Sequence, residues 1–438
     1  MNANRSLIIV LALASQLPFA QTAAGQEHWV ATWAAAQQQP RPPAAGRGPA
    51  PPVAAGQQTP AAAPRPTPPP ASFTNQTIRM IVHTTIGGRR VRVQMSNAYG
   101  TMPLTIGSAH VALRSKDSEI VAGSDRVLTF STKPSFRIPP GASIVSDPVD
   151  LSVPQLGDLA VSVYVPGESG PLTTHALGLH TTYISPPGDF SAQPAITDAT
   201  TSLSWYWLAS VDVLAPADTA AIVTFGDSIT DGATSTPNTD RSWPAYLAAR
   251  LLANTGGAKL AVVNEGISGN RILTDGAGVN ALARFDRDVL DIAGVKWVTI
   301  LEGINDIGLG LGPNAQAGAA VTADDLIGGL RQMIERAHMH GIKVIGCTLT
   351  PYEGAFYASE EGEKVRQAVN RWIMTGGAFD SVVDFDAVTR DPENAKRLPP
   401  AFNISDHLHP NDAGYKAMAD AFDLSVFMPR PAQGSAQR

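Results

Sequence analysis

From Ser72 to Pro216 apolar and polar positions alternate with a period of two. Val91, Val93 and Met95 are interleaved with Arg90, Arg92, Gln94 and Ser96, and Leu159, Val161, Val163 and Val165 with Ala160, Ser162 and Tyr164. Successive strand side chains point to opposite faces, so this rhythm predicts half-buried strands. Gly87-Gly88, Pro139-Pro140-Gly141 and Pro186-Pro187-Gly188 punctuate them as turns. Short alternating strands between turn signals predict an all-β sandwich or jelly-roll-like domain. Upstream, Trp29-Val30-Ala31-Thr32-Trp33 reads as a further strand with Trp29, Ala31 and Trp33 on one face, pairing with this β region.

After Pro216 the rhythm changes. Apolar runs at Ala220–Phe225, Leu260–Val263, Trp297–Leu301, Lys343–Leu349 and Val382–Phe385 predict strands, with helical periodicity between and after them. Leu326, Ile327, Leu330, Met333, Ile334 and Ala337 lie on one helical face, opened by Thr322 with Asp325 three residues on and closed at Gly341. Val365, Ala368, Val369, Trp372 and Ile373 repeat the pattern, and Tyr415, Met418, Ala419 and Phe422 mark a last helix. Five strand–helix units predict a parallel sheet covered on both faces.

Composition refines the domain limits. Twelve of the chain's 35 prolines fall between residues 37 and 70, among Ala, Gln and Gly. Such a stretch buries too little to fold and is expected to be an extended spacer. With strands on both sides of it, residues 37–71 read as an insertion into the β region, after a first strand at 25–36. The β domain proper then spans 72–215, the α/β domain 216–430, and 431–438 a flexible tail. Arg5, the apolar run Leu7 to Ala14 and small residues near Ala20 to Ala24 read as an export signal over 1–24. The expected location is periplasmic or extracellular, with no lipoprotein anchor and no membrane span. A net charge of −6 argues against nucleic acid as a partner. The single cysteine, Cys347, excludes an intrachain disulfide and cysteine-based metal sites, and its apolar neighbours place it in the core.

Ligands of open α/β sheets bind beyond the carboxyl ends of the strands. The segments there are Gly226-Asp227-Ser228, then Asn264 to Arg271, then Glu302-Gly303-Ile304-Asn305-Asp306, and a late loop with Asp406-His407-Leu408-His409. A serine, a glycine turn, an asparagine and an Asp/His pair so converge on one edge. A serine hydroxyl becomes nucleophilic once a base takes its proton, and histidine suits that task. An acidic group fixes the imidazole tautomer, while backbone N–H groups and an amide can hold an oxyanion.

Gly226-Asp227-Ser228, Gly269, Asn305 and Asp406-x-x-His409 resemble the four sequence blocks of the SGNH/GDSL hydrolase superfamily, in the family's order, over roughly Ala220 to Phe427. The resemblance implies a flavodoxin-like three-layer α/β/α domain with a parallel five-stranded sheet. It implies Ser228 as nucleophile, His409 as base and Asp406 as its orienter, with an oxyanion hole from Ser228, Gly269 and Asn305, and no cofactor or metal. The upstream β region resembles the N-terminal portion of some secreted members.

Blander readings exist for each residue. Ser228 could cap a helix, as could Asn305 or, more naturally, Asp306; Asp227 stabilises a turn; Gly269 takes a positive φ; Ser268 is structural. His407 is read as a surface or supporting residue, and His338 and His340 as favourable charges at a helix C-terminus. His83, His110, His175 and His180 show no ligand spacing, and the β region shows no catalytic constellation. The expected function is an exported esterase that forms an acyl-enzyme and acts on small-molecule or polysaccharide esters, above all O-acyl groups of carbohydrate. The rivals are a lipase, lysophospholipase or arylesterase, a metal hydrolase using Asp406, His407 and His409, and a carbohydrate-binding protein with a degenerate hydrolase domain. The β region is expected to be dispensable for chemistry but not necessarily for stability, and the oligomeric state is left open.

Overall fold

A computed structural model describes residues 27–40, 70–255, 260–315 and 317–427. The expected export signal, the C-terminal tail and most of the Pro-rich insertion lie outside these residues.

The β domain is two antiparallel sheets facing each other. One is built on β1 (Glu27–Ala34), β7 (Leu208–Pro216) and β3 (Gly88–Ser96), in that order. The other carries β6 (Thr182–Pro187), β2 (Gln76–Thr84), β5 (Gly157–Val165) and β4 (Ser108–Leu113) as neighbours. Ile78, Met80 and Val82 of one sheet share a buried core with Val91, Val93 and Met95 of the other, so the period-two positions are the ones that close the sandwich.

β1 departs from expectation. Its pairing with β7 slips between Ala31 and Trp33, so the alternation changes phase there. Val30 and Trp33 enter the sandwich core, whereas Ala31 and Ala34 enter the core of the following domain. Trp29, expected on the same face as Ala31 and Trp33, is half-buried under the Arg92 guanidinium, 4.6 Å from its ring.

Three residues after β7 the chain enters the second domain. Its strands are β8 (Ala220–Gly226), β9 (Leu260–Gly266), β10 (Val295–Leu301), β11 (Lys343–Cys347) and β12 (Ser381–Val383). All pair in parallel, in the order β9-β8-β10-β11-β12. This is the flavodoxin-like order, with its switch point between β8 and β10. The last two strands are shorter than the apolar runs suggested, and Phe385 instead opens α7 (Phe385–Thr389).

The remaining helices are α1 (Ser228–Asp231), α2 (Trp243–Thr255), α3 (Ala281–Phe285), α4 (Ile304–Leu311), α5 (Ala323–Met339), α6 (Glu360–Thr375) and α8 (Asp412–Asp420). α5 starts with the expected reciprocal cap between Thr322 and Asp325. α8 is shorter than read: Phe422 lies beyond its end, packed between Trp243 and Phe427. Cys347 is a buried thiol, pushed above its usual range by desolvation. No helix among the described residues is long and apolar enough to cross a membrane.

The domains are closely joined. The Ala31 N–H donates to the Ala293 carbonyl at 2.9 Å, and the Val262 N–H of edge strand β9 donates to the Thr85 hydroxyl at 3.2 Å. The Arg287 guanidinium reaches back to Tyr99 and to the Gln37 carbonyl.

Candidate active site

β8 ends in Gly226 and turns at once into the single-turn helix α1. The two run so close that a side chain at Gly226 would meet the Thr230 hydroxyl at 2.2 Å, and one at Gly266, the end of β9, would meet the Asp231 backbone nitrogen at 2.2 Å. The glycines therefore let α1 sit against both strand ends. Asp227, not Ser228, is the N-cap: its carboxyl accepts the Ile229 N–H at 2.9 Å. Ser228 is thereby left free to face the cleft.

The Ser228 hydroxyl lies 2.7 Å from His409 Nε2, and His409 Nδ1 lies 2.6 Å from an Asp406 oxygen. A ring nitrogen facing a carboxylate carries the proton, which leaves Nε2 as the acceptor for the serine O–H. The other Asp406 oxygen accepts the backbone N–H groups of Leu408 and His409, both at 3.0 Å. Half-burial alone would raise the Asp406 carboxyl, but the His409 ring and these N–H groups hold it below the usual range. Ser228 and His409, 181 positions apart in sequence, are thus directly hydrogen-bonded, with the Asp406 carboxylate on the far side of the ring.

Opposite the serine lies the turn Ile267 to Asn270, closed by the Asn270 N–H on the Ile267 carbonyl at 2.9 Å. Gly269 occupies its left-handed position, φ 82°. Asn305 is not a helix cap; α4 is capped from Gly303, and Asn305 sits in its first turn. Its amide nitrogen donates to the Asn270 carbonyl at 3.0 Å and its amide oxygen accepts from the Tyr357 hydroxyl at 3.2 Å, which fixes the amide's orientation. Asp306 does not cap α4 either. It accepts the N–H groups of Ile272 (2.8 Å) and Leu273 (3.1 Å), tying the glycine turn's exit to α4. Ser228, Gly269, Asn305 and His409 share one open cleft of about 440 Å³, walled by Leu309, Phe356 and Leu408.

Beneath the cleft is a buried group of ionisable side chains that sequence reading missed. Burial pushes Asp227 up to about 7 and Asp306 up to about 6, and holds Glu265 and Glu302 well above the carboxylate range. The fully buried Arg284 lies among them, its guanidinium 3.8 Å from the centre of the Phe225 ring. An arginine inside the otherwise apolar stretch Ala281-Leu282-Ala283-Arg284-Phe285 was the available signal.

His407 turns away from His409: its Nδ1 faces the Asn403 amide at 2.8 Å, on a backbone with φ 58°. Both His409 nitrogens are engaged by Ser228 and Asp406, so Asp406, His407 and His409 do not converge as a metal site. His338 pairs with Asp380 at 2.8 Å, and His340 contacts the Arg336 carbonyl. In the β domain His83, His110, His175 and His180 are paired with acids, which their sequence spacing did not show. Among the described residues one group has metal-like spacing, His83, Asp158 and Asp240, whose ligand atoms lie within 4.8 Å of one another. The hydrogen bonds of Arg114 to Asp158 (2.7 Å) and of His180 to Asp240 (2.8 Å) fasten the outer oxygens of those carboxylates.

Residues 222–422 match the family described as GDSL-like Lipase/Acylhydrolase. The C-terminal domain belongs to this family. This GDSL-like domain makes the chain a carboxylic ester hydrolase. The chain is similar to solved structures of a GDSL-like lipase from Bacteroides thetaiotaomicron (22% identity, 47% of this chain and 87% of that one, TM-score 0.36) and of a catalytic mutant of an acetylxylan esterase from Geobacillus stearothermophilus (25% identity, 48% and 95%, TM-score 0.38). No curated protein sequence matches it.

Proposed function

We propose that the protein is an exported serine esterase that transfers the acyl group of a carbohydrate O-ester to Ser228 and then to water. The observation that carries this reading is the unbroken hydrogen-bonded row Ser228–His409–Asp406 at the carboxyl edge of the parallel sheet. His409 takes the Ser228 proton as the oxygen attacks the ester carbonyl. The developing oxyanion faces the Ser228 and Gly269 N–H groups and the Asn305 amide. Collapse expels the alcohol, protonated by His409, and a water activated by the same ring releases the acid. The mechanism needs no metal. The cleft's open form and modest volume suit a short acyl group on a larger polar alcohol, and the export-like N-terminus suits a substrate outside the cytoplasm.

Fluorophosphonate labelling tests the mechanism. The wild type should label at Ser228, and Ser228→Ala should neither label nor turn over, since loss of a nucleophilic serine costs up to ~10⁶-fold in kcat. A Ser228→Ala variant that keeps a substantial fraction of the activity would overturn the assignment. Rates on acetyl, butyryl and long-chain esters and on acetylated xylan test the substrate: acetyl esters should be fastest, whereas a preference for long chains would make the enzyme a lipase.

A further inference from the structure

A polar chain crosses from the β domain to the cleft and plays no part in the acyl transfer just described. His175, in the short strand Thr174–His175, is buried with its ring on Trp205 at 5.5 Å between centroids. Its Nδ1 lies 2.8 Å from the Ala36 carbonyl oxygen and its Nε2 3.0 Å from one oxygen of Asp231. The other Asp231 oxygen accepts the Ser268 backbone N–H at 2.9 Å and the Ser268 hydroxyl at 2.7 Å. Ser268 immediately precedes Gly269 in the turn that faces Ser228.

A carbonyl oxygen only accepts, so Nδ1 carries hydrogen; an ionised carboxylate only accepts, so Nε2 carries hydrogen as well. The ring is then an imidazolium against a buried carboxylate. Burial opposes that charge, but Asp231 and the ring's hydrogen bonds outweigh it and raise the His175 pKa above its usual value. With His175 gone, Asp231 would keep a buried charge with one oxygen stripped of its cation. Rotation of the carboxyl towards another donor would relieve that, and it disturbs the oxygen that holds Ser268. His175 itself stands outside the set of cleft-lining residues, whereas Ser268 and Gly269 belong to it.

We propose that His175 is a positioning residue: acting through Asp231, it fixes the Ser268-Gly269 turn, so the β domain sets the geometry of the oxyanion pocket. This rests on the serine-esterase reading above.

The test uses the full chain and p-nitrophenyl acetate, with His175→Ala, His175→Gln and Asp231→Asn. A glutamine amide can take the place of Nε2–H and donate to Asp231; alanine cannot. His175→Ala should lower kcat at least ~10-fold, less than the ~10²–10³-fold cost of removing an oxyanion donor outright, with KM little changed. An alkyl boronic acid forms a tetrahedral serine adduct, so its inhibition constant should rise by a similar factor. His175→Gln should recover most of both. If His175→Ala does not fold, Asp231→Asn, which keeps the side-chain volume, should show the same split between kcat and KM. Folded variants with wild-type kcat, a loss confined to KM, or an unchanged boronate constant would overturn the proposal. Labelling separates the two readings: an unlabelled wild type defeats the serine mechanism, and a labelled wild type with unchanged His175 variants defeats only this inference.

Discussion

The guanidinium of Arg284 donates to the carbonyl oxygen of Gly226 at 2.9 Å, holding the backbone two residues before the nucleophile. The same side chain donates to the Glu265 carbonyl at 2.7 Å, to Asn270 Oδ1 at 2.8 Å and to the Glu302 carboxyl at 3.3 Å. It thus ties together the carboxyl ends of β8, β9 and β10 and the turn that carries Gly269.

Arg284→Met should therefore destabilise the fold by about 3–5 kcal/mol, because Glu302 would lose its buried cation and the Gly226 and Glu265 carbonyls their donor, although Asp288 keeps Arg287. Arg284→Lys should restore little, since one ammonium cannot reproduce the fork of donors. Urea unfolding measures both, and a loss under about 1 kcal/mol would refute the clamp.

Asn305→Ala should lower kcat by ~10²–10³ with a smaller change in KM, the cost of removing one oxyanion donor. Steady-state kinetics on a soluble acetyl ester decide it. A pure KM effect would move Asn305 into substrate binding.

Asp406→Asn should lower kcat by up to ~10⁴, the size of effect in the serine-protease template when the tautomer is lost. The structure places a carboxylate oxygen, and no backbone carbonyl, on His409 Nδ1, so a large effect is expected. Activity within a few-fold of wild type would demote Asp406.

Asp227 gives a stability prediction with a definite sign. Its folded pKa, about 7, is raised mainly by burial, while the unfolded chain releases the same proton near ~4. Folding then retains a proton that unfolding gives up, so this group's contribution is full below pH ~4 and is lost as pH rises towards 7. Asp227→Asn keeps an acceptor for the Ile229 N–H and removes that loss. Its melting temperature should equal or exceed the wild type's at pH 8, with little difference at pH 4. A fall confined to pH 8 would show that the ionised carboxylate is used.

A chain beginning at Asp218 should aggregate rather than work, because the β domain supports the stability of the second domain whether or not it takes part in the chemistry. The fragment would lose Ala31 and Ala34 from its core and the Thr85 hydroxyl from the Val262 N–H of its edge strand. Size-exclusion chromatography and circular dichroism check this; a monomeric, folded and active fragment would refute it.

What could be read from the sequence was local or periodic. The five parallel strands follow from apolar runs, and Ser228, Asn305 and His409 from short motifs that strand ends bring to one edge. The one-residue slip at Thr32 has no signature in an alternating strand, so period two assigns Trp33 to the face of Ala31, although the two enter different cores. Arg284, His175 and the His83–Asp158–Asp240 group act through partners tens to more than a hundred residues away. No spacing rule reaches that far, and each looked like an ordinary polar residue until the fold placed its partner.

The divided strand β1 has a consequence for how the chain is made. It is the first element of the described structure, yet its ladder partners lie in residues 210–216, and beside a backbone bond from Thr85 it has one to Ala293. At ~5–20 residues per second, a ribosome would need on the order of ten seconds or more to deliver those partners after β1 is complete. Until then β1 has no ladder partner, and Ala31 and Ala34 wait for the core of the second domain. Such long-range pairing slows folding, and the nascent N-terminal strand is the segment that a chaperone must keep from pairing elsewhere.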